Sequence, residues 1–227
     1  CAMWHSRSLP TVALVVETSE QGDPAQIDGL TQQLSAVGIH ATWIVACPDQ
    51  MKRFTYRAGE LPLPGWGVRC VLGDLPPWAV QVAQSQAHAW PLAAVICDEP
   101  PSKRDLCRLQ ALGVGSVVCT HLGAGCSQRT AEGIWQFGES FSTTGLDRLF
   151  ARSAAGRLAN HRAGLAVVRM DLSATRTARG RARTEDFVER LIALQGKQFS
   201  VVSLTEAAEF EEARTVPRPQ RSILHAA

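Results

Sequence analysis

Apolar positions along this chain fall into two alternating textures. Short, nearly continuous apolar runs occur at Thr11 to Glu17 (TVALVVE), Ile39 to Ala46, Val68 to Leu72, Leu92 to Cys97 (LAAVIC), Gly115 to Thr120, Ile134 to Phe137, Gly164 to Met170 (GLAVVRM) and Phe199 to Leu204. A run that is apolar at every position, not at every second one, suits a strand covered on both faces, as in a parallel sheet. Between the runs the spacing changes to three and four. Ile27, Leu30, Leu34 and Val37 share one face of a helix from about Pro24 to Val37, with proline allowed in the first turn and Gly38 as the stop.

The same punctuation predicts helices at Trp78 to Ala89 behind Pro76-Pro77, and over Leu106, Leu109 and Leu112 behind the cap Ser102, with Asp105 in the first turn. Further helices are predicted at about Gly145 to Leu158, at Thr184 to Leu194, and after Ser203-Leu204-Thr205-Glu206, which reads as a capping box. Cys47 to Pro64 reads as a long connection. Strands alternating with helices through right-handed crossovers make a parallel α/β architecture. About seven strands favour a distorted, incomplete (β/α) barrel; an open doubly wound sheet is the alternative. Residues 11 to 210 read as one domain, with residues 1 to 10 as a lead-in and 211 to 227 as a disordered tail. In either architecture the loops after the strands' C-terminal ends carry function. That rule selects Glu17, Thr18, Asp74, Asp98, Glu99, His121 and Asp171.

Ala41-Thr42-Trp43-Ile44-Val45 resembles the second strand, A-T-F-F-V, of the polysaccharide deacetylase (NodB homology) family. Val16-Glu17-Thr18-Ser19 stands where that family carries T-F-D-D-G-P. Gly164 to Met170 lies where the family has a strand closing in Leu-x-His, and Phe199 to Leu204 with its capped helix is similar to the family's ending. The resemblance implies the barrel fold. It also implies a divalent metal held by an aspartate and the two histidines of an H-x-x-x-H turn, with a second aspartate as base and a late histidine as acid. Such a site would lower the pKa of a bound water and protonate the leaving amine.

The chain departs from that pattern at each step. Glu17 and Thr18 replace the aspartate pair, and Gly73, Asp74 and Leu75 follow the third strand with no histidine before His88. Asp98-Glu99-Pro100-Pro101 replaces Arg-x-Pro-x-Gly, and Arg169-Met170-Asp171 occupies the late histidine position. The expectation is therefore a degenerate deacetylase-like domain that binds a carbohydrate or an anionic ligand without catalysis and needs no cofactor. One alternative is a hydrolase of C–N bonds in carbohydrates, working through a rebuilt carboxylate site of Glu17, Asp98, Glu99 and Asp171, with zinc only in that case. Another is a structural or oligomerisation scaffold.

Composition narrows this further. Lys and Arg number 23 against 21 Asp and Glu, so no global field directs the chain to nucleic acid. No apolar run reaches the roughly 18 residues that span a bilayer. The 7 cysteines are odd in number and scattered through strands and helices, which suits buried reduced thiols and a cytoplasmic setting. A lipoprotein acylated on Cys1 is the alternative localisation. Arg176, Arg179, Arg181 and Arg183, in the stretch RTARGRAR, read as a solvated loop whose guanidinium forks suit phosphate, sulfate or carboxylate. With Thr18, Asp74 and His121 they make up the candidate ligand contacts. Cys119, His121 and Cys126 match no zinc-ligand spacing, Gly123-Ala124-Gly125 lacks the third glycine of a dinucleotide loop, and the dispersed tryptophans read mainly as core.

Overall fold

The computed structural model describes residues 9–51, 65–71, 74–85, 91–143 and 165–215. The expected helix at 145 to 158, most of the 47 to 64 connection, Gly73 and His88 lie outside these segments.

Nine strands form one sheet. They are β1 (Thr11–Glu17), β2 (Thr42–Ile44), β3 (Trp66–Arg69), β4 (Leu92–Cys97), β5 (Ser116–Cys119), β6 (Ser127–Arg129), β7 (Trp135–Ser142), β8 (Leu165–Asp171) and β9 (Ser200–Val202). Order β2-β3-β4-β5-β7-β8-β1 returns to β2, because Val15, Val16 and Glu17 pair with Thr42, Trp43 and Ile44. The result is a closed barrel of seven parallel strands, not an open sheet. The helices are α1 (Pro24–Ala36), α2 (Pro77–Ser85), α3 (Lys103–Ala111), α4 (Ala178–Leu194) and α5 (Leu204–Thr215), with a 3-10 turn at Leu172–Arg176. Among the described residues, no helix is long and apolar enough to cross a membrane.

Closure is uneven, and β1 shows why. One edge pairs with β8 along its whole length, from Thr11 with Leu165 to Glu17 with Asp171. The other edge is shared: Thr11, Val12 and Ala13 pair with Ser200, Val201 and Val202 of β9, and only the last three residues pair with β2. Hence β2 is three residues long although the apolar run extends from 39 to 46; Ile39 and Ala41 remain buried outside the ladder. β7 is shared in the same way, with β6 antiparallel at its start and β8 parallel at its end. The polar strand β6 (SQR) carried no apolar signal.

The caps at Ser102 and Ser203 match the sequence reading, and Asp23 adds one it did not name. The Asp23 side chain accepts from Ala25 N–H ahead of Pro24, and Ser102 with Asp105 makes a reciprocal capping box on α3. Glu206 and Ser203 do the same for α5. The final helix runs to Thr215, past the expected boundary at 210.

The larger difference is α4, which begins at Ala178 and not at Thr184. Thr177 caps it by accepting from Gly180 N–H at 3.0 Å, and a Cβ at Gly180 would fall on the carbonyl oxygen of Ala174. The arginine stretch is thus the first two turns of a helix docked on the 3-10 turn, where only glycine permits the approach.

Side chains on alternate strand positions separate into two clusters. The outer one packs Val12, Leu14, Val16, Val68, Val95, Val117 and Val168 against Ile27, Leu30 and Leu34 of α1, Leu106 and Leu109 of α3, and Phe187, Val188 and Leu191 of α4. The inner one holds Ala13, Val15, Ile44, Ala94, Ile96, Val118, Phe137 and Val167, joined by Leu204 and Ala207 of α5. Because α5 also contacts β1, β4 and β5, it closes the end of the barrel opposite the mouth. Trp43, Trp66 and Trp135 are buried, so these three are core residues.

Candidate functional site

Inner positions of β1 read Ala13, Val15, Glu17, and those of β8 read Leu165, Val167, Arg169. One step beyond the apolar interior, each strand therefore presents a charged side chain toward the mouth. Arg69 holds the equivalent place on β3, two residues after Gly67. That glycine has no side chain because Ile44 and the Ala94 carbonyl occupy the space.

These charges form one continuous ladder. Arg69 grips Glu17 with both edges of its fork: Nε donates to Oε1, and Nη2 donates to Oε2 at 2.9 Å. Its Nη1 donates to Asp98 Oδ1 at 2.7 Å. From the other side Arg169 Nη1 donates to Glu17 Oε2 at 2.8 Å, and Arg169 Nε donates to Glu139 Oε2 at 2.6 Å. The order Asp98, Arg69, Glu17, Arg169, Glu139 alternates in sign from the end of β4 across β3, β1, β8 and β7.

Burial grades along it. Glu17, Arg169 and Glu139 side chains are 11%, 12% and 12% exposed, Arg69 is 29% exposed, and Asp98 is 62% exposed. Burial by itself would raise the Glu17 pKa. The hydrogen bonds and charges of Arg69 and Arg169 outweigh it and hold the carboxyl below its ordinary value. The Glu17 bond and charge raise the Arg69 pKa, and for Arg169 the Glu139 and Glu17 partners outweigh burial in the same direction. Glu17, Arg69 and Arg169 are all fixed in their charged forms at neutral pH.

The donor set does not fit the zinc centre that the resemblance implies. Glu17 already accepts three hydrogen bonds, from Arg69 Nε, Arg69 Nη2 and Arg169 Nη1, against about four lone-pair sites on a carboxylate. Its neighbours are guanidiniums, which have no lone pair to give a metal. Of the described histidines, His40 bonds Glu206 and His121 is exposed. Among the described residues no group of three or more His, Cys, Asp or Glu is placed to hold a metal ion.

The remaining predicted residues are spread out. Thr18 is buried, its hydroxyl within 3.0 Å of Ile44 O and 2.6 Å of Gln50 Oε1, and Gln50 Nε2 donates to Ser19 O. That knot ties the loop after β1 to the chain after β2. Asp171 accepts from Ser173 N–H at 2.7 Å and caps the 3-10 turn, so it does not join Glu17 and Asp98. Asp74 lies 3.7 Å from Arg108 on the surface, and Glu99 and His121 are exposed. Arg176, Arg179, Arg181 and Arg183 are all exposed, and none makes an ion pair with a described residue. Cys119 is buried on β5, where burial pushes its pKa up to about 11, and Cys126 is exposed on the following loop.

Arg69 and Glu139 escape a reading of the sequence altogether, and Arg169 enters it only as standing in a histidine's place. The available signal is an arginine inside a strand otherwise apolar, in GVRC and in AVVRM, since a charged side chain there must find a buried partner.

No protein-family model matches the sequence, and no curated protein matches it. Among solved structures, a candidate polysaccharide deacetylase involved in O-antigen biosynthesis from Bordetella bronchiseptica is similar at 8% identity and a TM-score of 0.49, covering 81% of this chain and 89% of that one. Dihydropteroate synthase from Thermus thermophilus in complex with 6HMPPP is similar at 13% identity and a TM-score of 0.42, covering 90% and 94%. Likeness at this level concerns the path of the chain alone, and the chemistry of the mouth has to be read from its own side chains.

Proposed function

We propose that this chain is a non-catalytic binding domain on a deacetylase-like barrel, with an anionic small molecule or an acidic glycan as its ligand. The observation that supports it is the engagement of Glu17: the carboxylate at the position of the family's aspartates is held by Arg69 and Arg169. A general base needs a free lone pair aimed at its proton, and a metal ligand needs one aimed at the ion. Three of the roughly four lone-pair sites of Glu17 face guanidinium donors, and Asp98 is drawn onto the same Arg69 instead of onto a shared substrate position.

A separate group of residues favours an anionic ligand. At the rim, Arg176 and the first two turns of α4 present four exposed guanidinium groups, directly after the strand that supplies Arg169. Arg179 and Arg183, four residues apart, share one face of this helix, and Arg forks match carboxylate, sulfate and phosphate oxygens.

The test is calorimetric titration of the full chain with a glucuronate oligosaccharide and with its neutral glucose counterpart, at low and at moderate salt. Binding of the acidic ligand alone, weakened by salt and lost when Arg176, Arg179, Arg181 and Arg183 are all replaced by Gln, is the expected result. Release of acetate from an N-acetylglucosamine oligomer, abolished by Glu17→Gln, would overturn the reading in favour of hydrolysis.

A further inference from the structure

A second constellation lies on the outer face of the sheet and plays no part in the mouth. Cys97 ends β4 and Cys70 directly follows β3. The ladder runs Val68 with Val95 and Arg69 with Ile96, and the Cys70 amide donates to Ile96 O, so Cys70 and Cys97 stand side by side on neighbouring parallel strands. Both side chains lie in the outer cluster, on one face. Neighbouring strands are about 4.8 Å apart, inside the Cα window of about 4.4 to 6.8 Å for a disulfide.

The pair also borders a pocket. Cys70 and Cys97 line it together with Leu75, Pro101, Asp105 and Arg108, the last two from α3. The thiols differ in character. The Cys97 S–H against the Cys70 sulfur lowers the pKa of Cys70 against burial and the charges of Asp105 and Asp74, while the same contact and burial raise that of Cys97. The two sulfurs share one hydrogen bond, so the pair gives up its first proton more readily than its second.

The geometry points to Cys70 and Cys97 as a thiol–disulfide exchange site that takes a small peptide disulfide at the pocket between β3, β4 and α3. The Cys70 thiolate attacks one sulfur of the disulfide, forming a mixed disulfide and expelling the other half as a thiolate. Cys97 then loses its proton to solvent and attacks the Cys70 sulfur, closing Cys70–Cys97 and releasing the second half as a thiolate that takes up a proton. Two protein thiols are oxidised and one small disulfide is reduced to two thiols. Arg108 and Asp105 line the pocket with opposite charges, and Arg108 also lies 3.7 Å from Asp74, so the wall favours neither sign of substrate.

Oxidised glutathione is the probe, used on the folded full chain with the exposed Cys107 and Cys126 replaced by Ser. Peptide mapping should find a Cys70–Cys97 disulfide. Cys97→Ala should instead trap one glutathionyl group on Cys70, and Cys70→Ala should leave Cys97 unmodified, with far-ultraviolet dichroism and melting checking that each variant folds. Modification that appears only at other cysteines, or a Cys97→Ala variant that folds and takes no label at Cys70, would overturn the proposal. Neither outcome depends on whether the barrel mouth binds anions.

Discussion

Arg169 donates to Glu17 at 2.8 Å across 152 residues of sequence, inside the mouth of the barrel. With Arg69 on the other side, this places one carboxylate between two guanidiniums where the resembled family keeps a metal. Removing that carboxylate takes one of two acidic partners from each guanidinium, leaving Arg69 on Asp98 and Arg169 on Glu139. Glu17→Gln should therefore destabilise the protein by about 2–3 kcal/mol, less than the roughly 3–5 kcal/mol of a wholly uncompensated buried charge. Urea unfolding checks it. Replacing Glu17, Arg69, Arg169 and Glu139 together by Leu, Met, Met and Leu should recover most of the loss, because no buried charge is then left without a partner; a single Glu17→Gln within about 1 kcal/mol of the parent would contradict the ladder's role.

Acid should act through the same group. The folded pKa of Glu17 lies below its ordinary value of 4.5, so its stabilisation is fully present above that value and is lost as pH falls through the folded one. Glu206 carries a shift of the same direction: burial raises it, and the Ser203 and His40 bonds outweigh that. Urea midpoints measured from about pH 6 down to about pH 2 should fall, and the fall should be shallower in Glu17→Gln. Parallel curves for the two proteins would remove Glu17 as a cause.

The outer end of the ladder should matter far less. Asp98 is 62% exposed and meets Arg69 through a single bond. Asp98→Asn should cost less than about 1 kcal/mol, because solvent screens the pair. The contrast with Glu17 is the informative quantity: equal losses at both sites would mean that burial does not grade the ladder.

Two glycines in helices make a further pair. Gly29 lies mid-way along α1 with open space where a Cβ would stand, and Gly180 has the Ala174 carbonyl in that position. Gly29→Ala should stabilise by about 0.5–1 kcal/mol. Gly180→Ala should destabilise by about 1–3 kcal/mol as the first turn of α4 is pushed off the 3-10 turn. Thermal melts of both variants check this, and a neutral Gly180→Ala would show that the arginine-bearing turn is not docked.

Architecture was legible wherever pattern and burial coincide. The run from Thr11 to Glu17 is a strand because every residue in it is buried, and the Ser102 and Ser203 caps form the bonds their spacing implies. Lengths failed where tertiary partners decide them: β2 is trimmed by β9, which arrives from more than 150 residues away, and the polar start of α4 is held by the Gly180 contact. At the mouth, Glu17 and Asp98 were visible as strand-end acids. Their meaning was hidden, since it lies in Arg69, Arg169 and Glu139, and the approach of β3, β1, β8 and β7 around one mouth is a property of barrel closure that no local window contains.

The shared edge of β1 also sets a timetable for the nascent chain. Its partners are β2, β8 and β9, so this wholly buried strand, made before all three, waits for residues 165 to 171 on one side and 200 to 202 on the other. Contacts this distant in sequence close slowly. Until the ribosome has released that last segment, Thr11 to Glu17 is an open edge of unpaired amides and carbonyls, the kind of surface that joins neighbouring chains. Early termination anywhere before Val202 should therefore yield an insoluble fragment, not a smaller barrel.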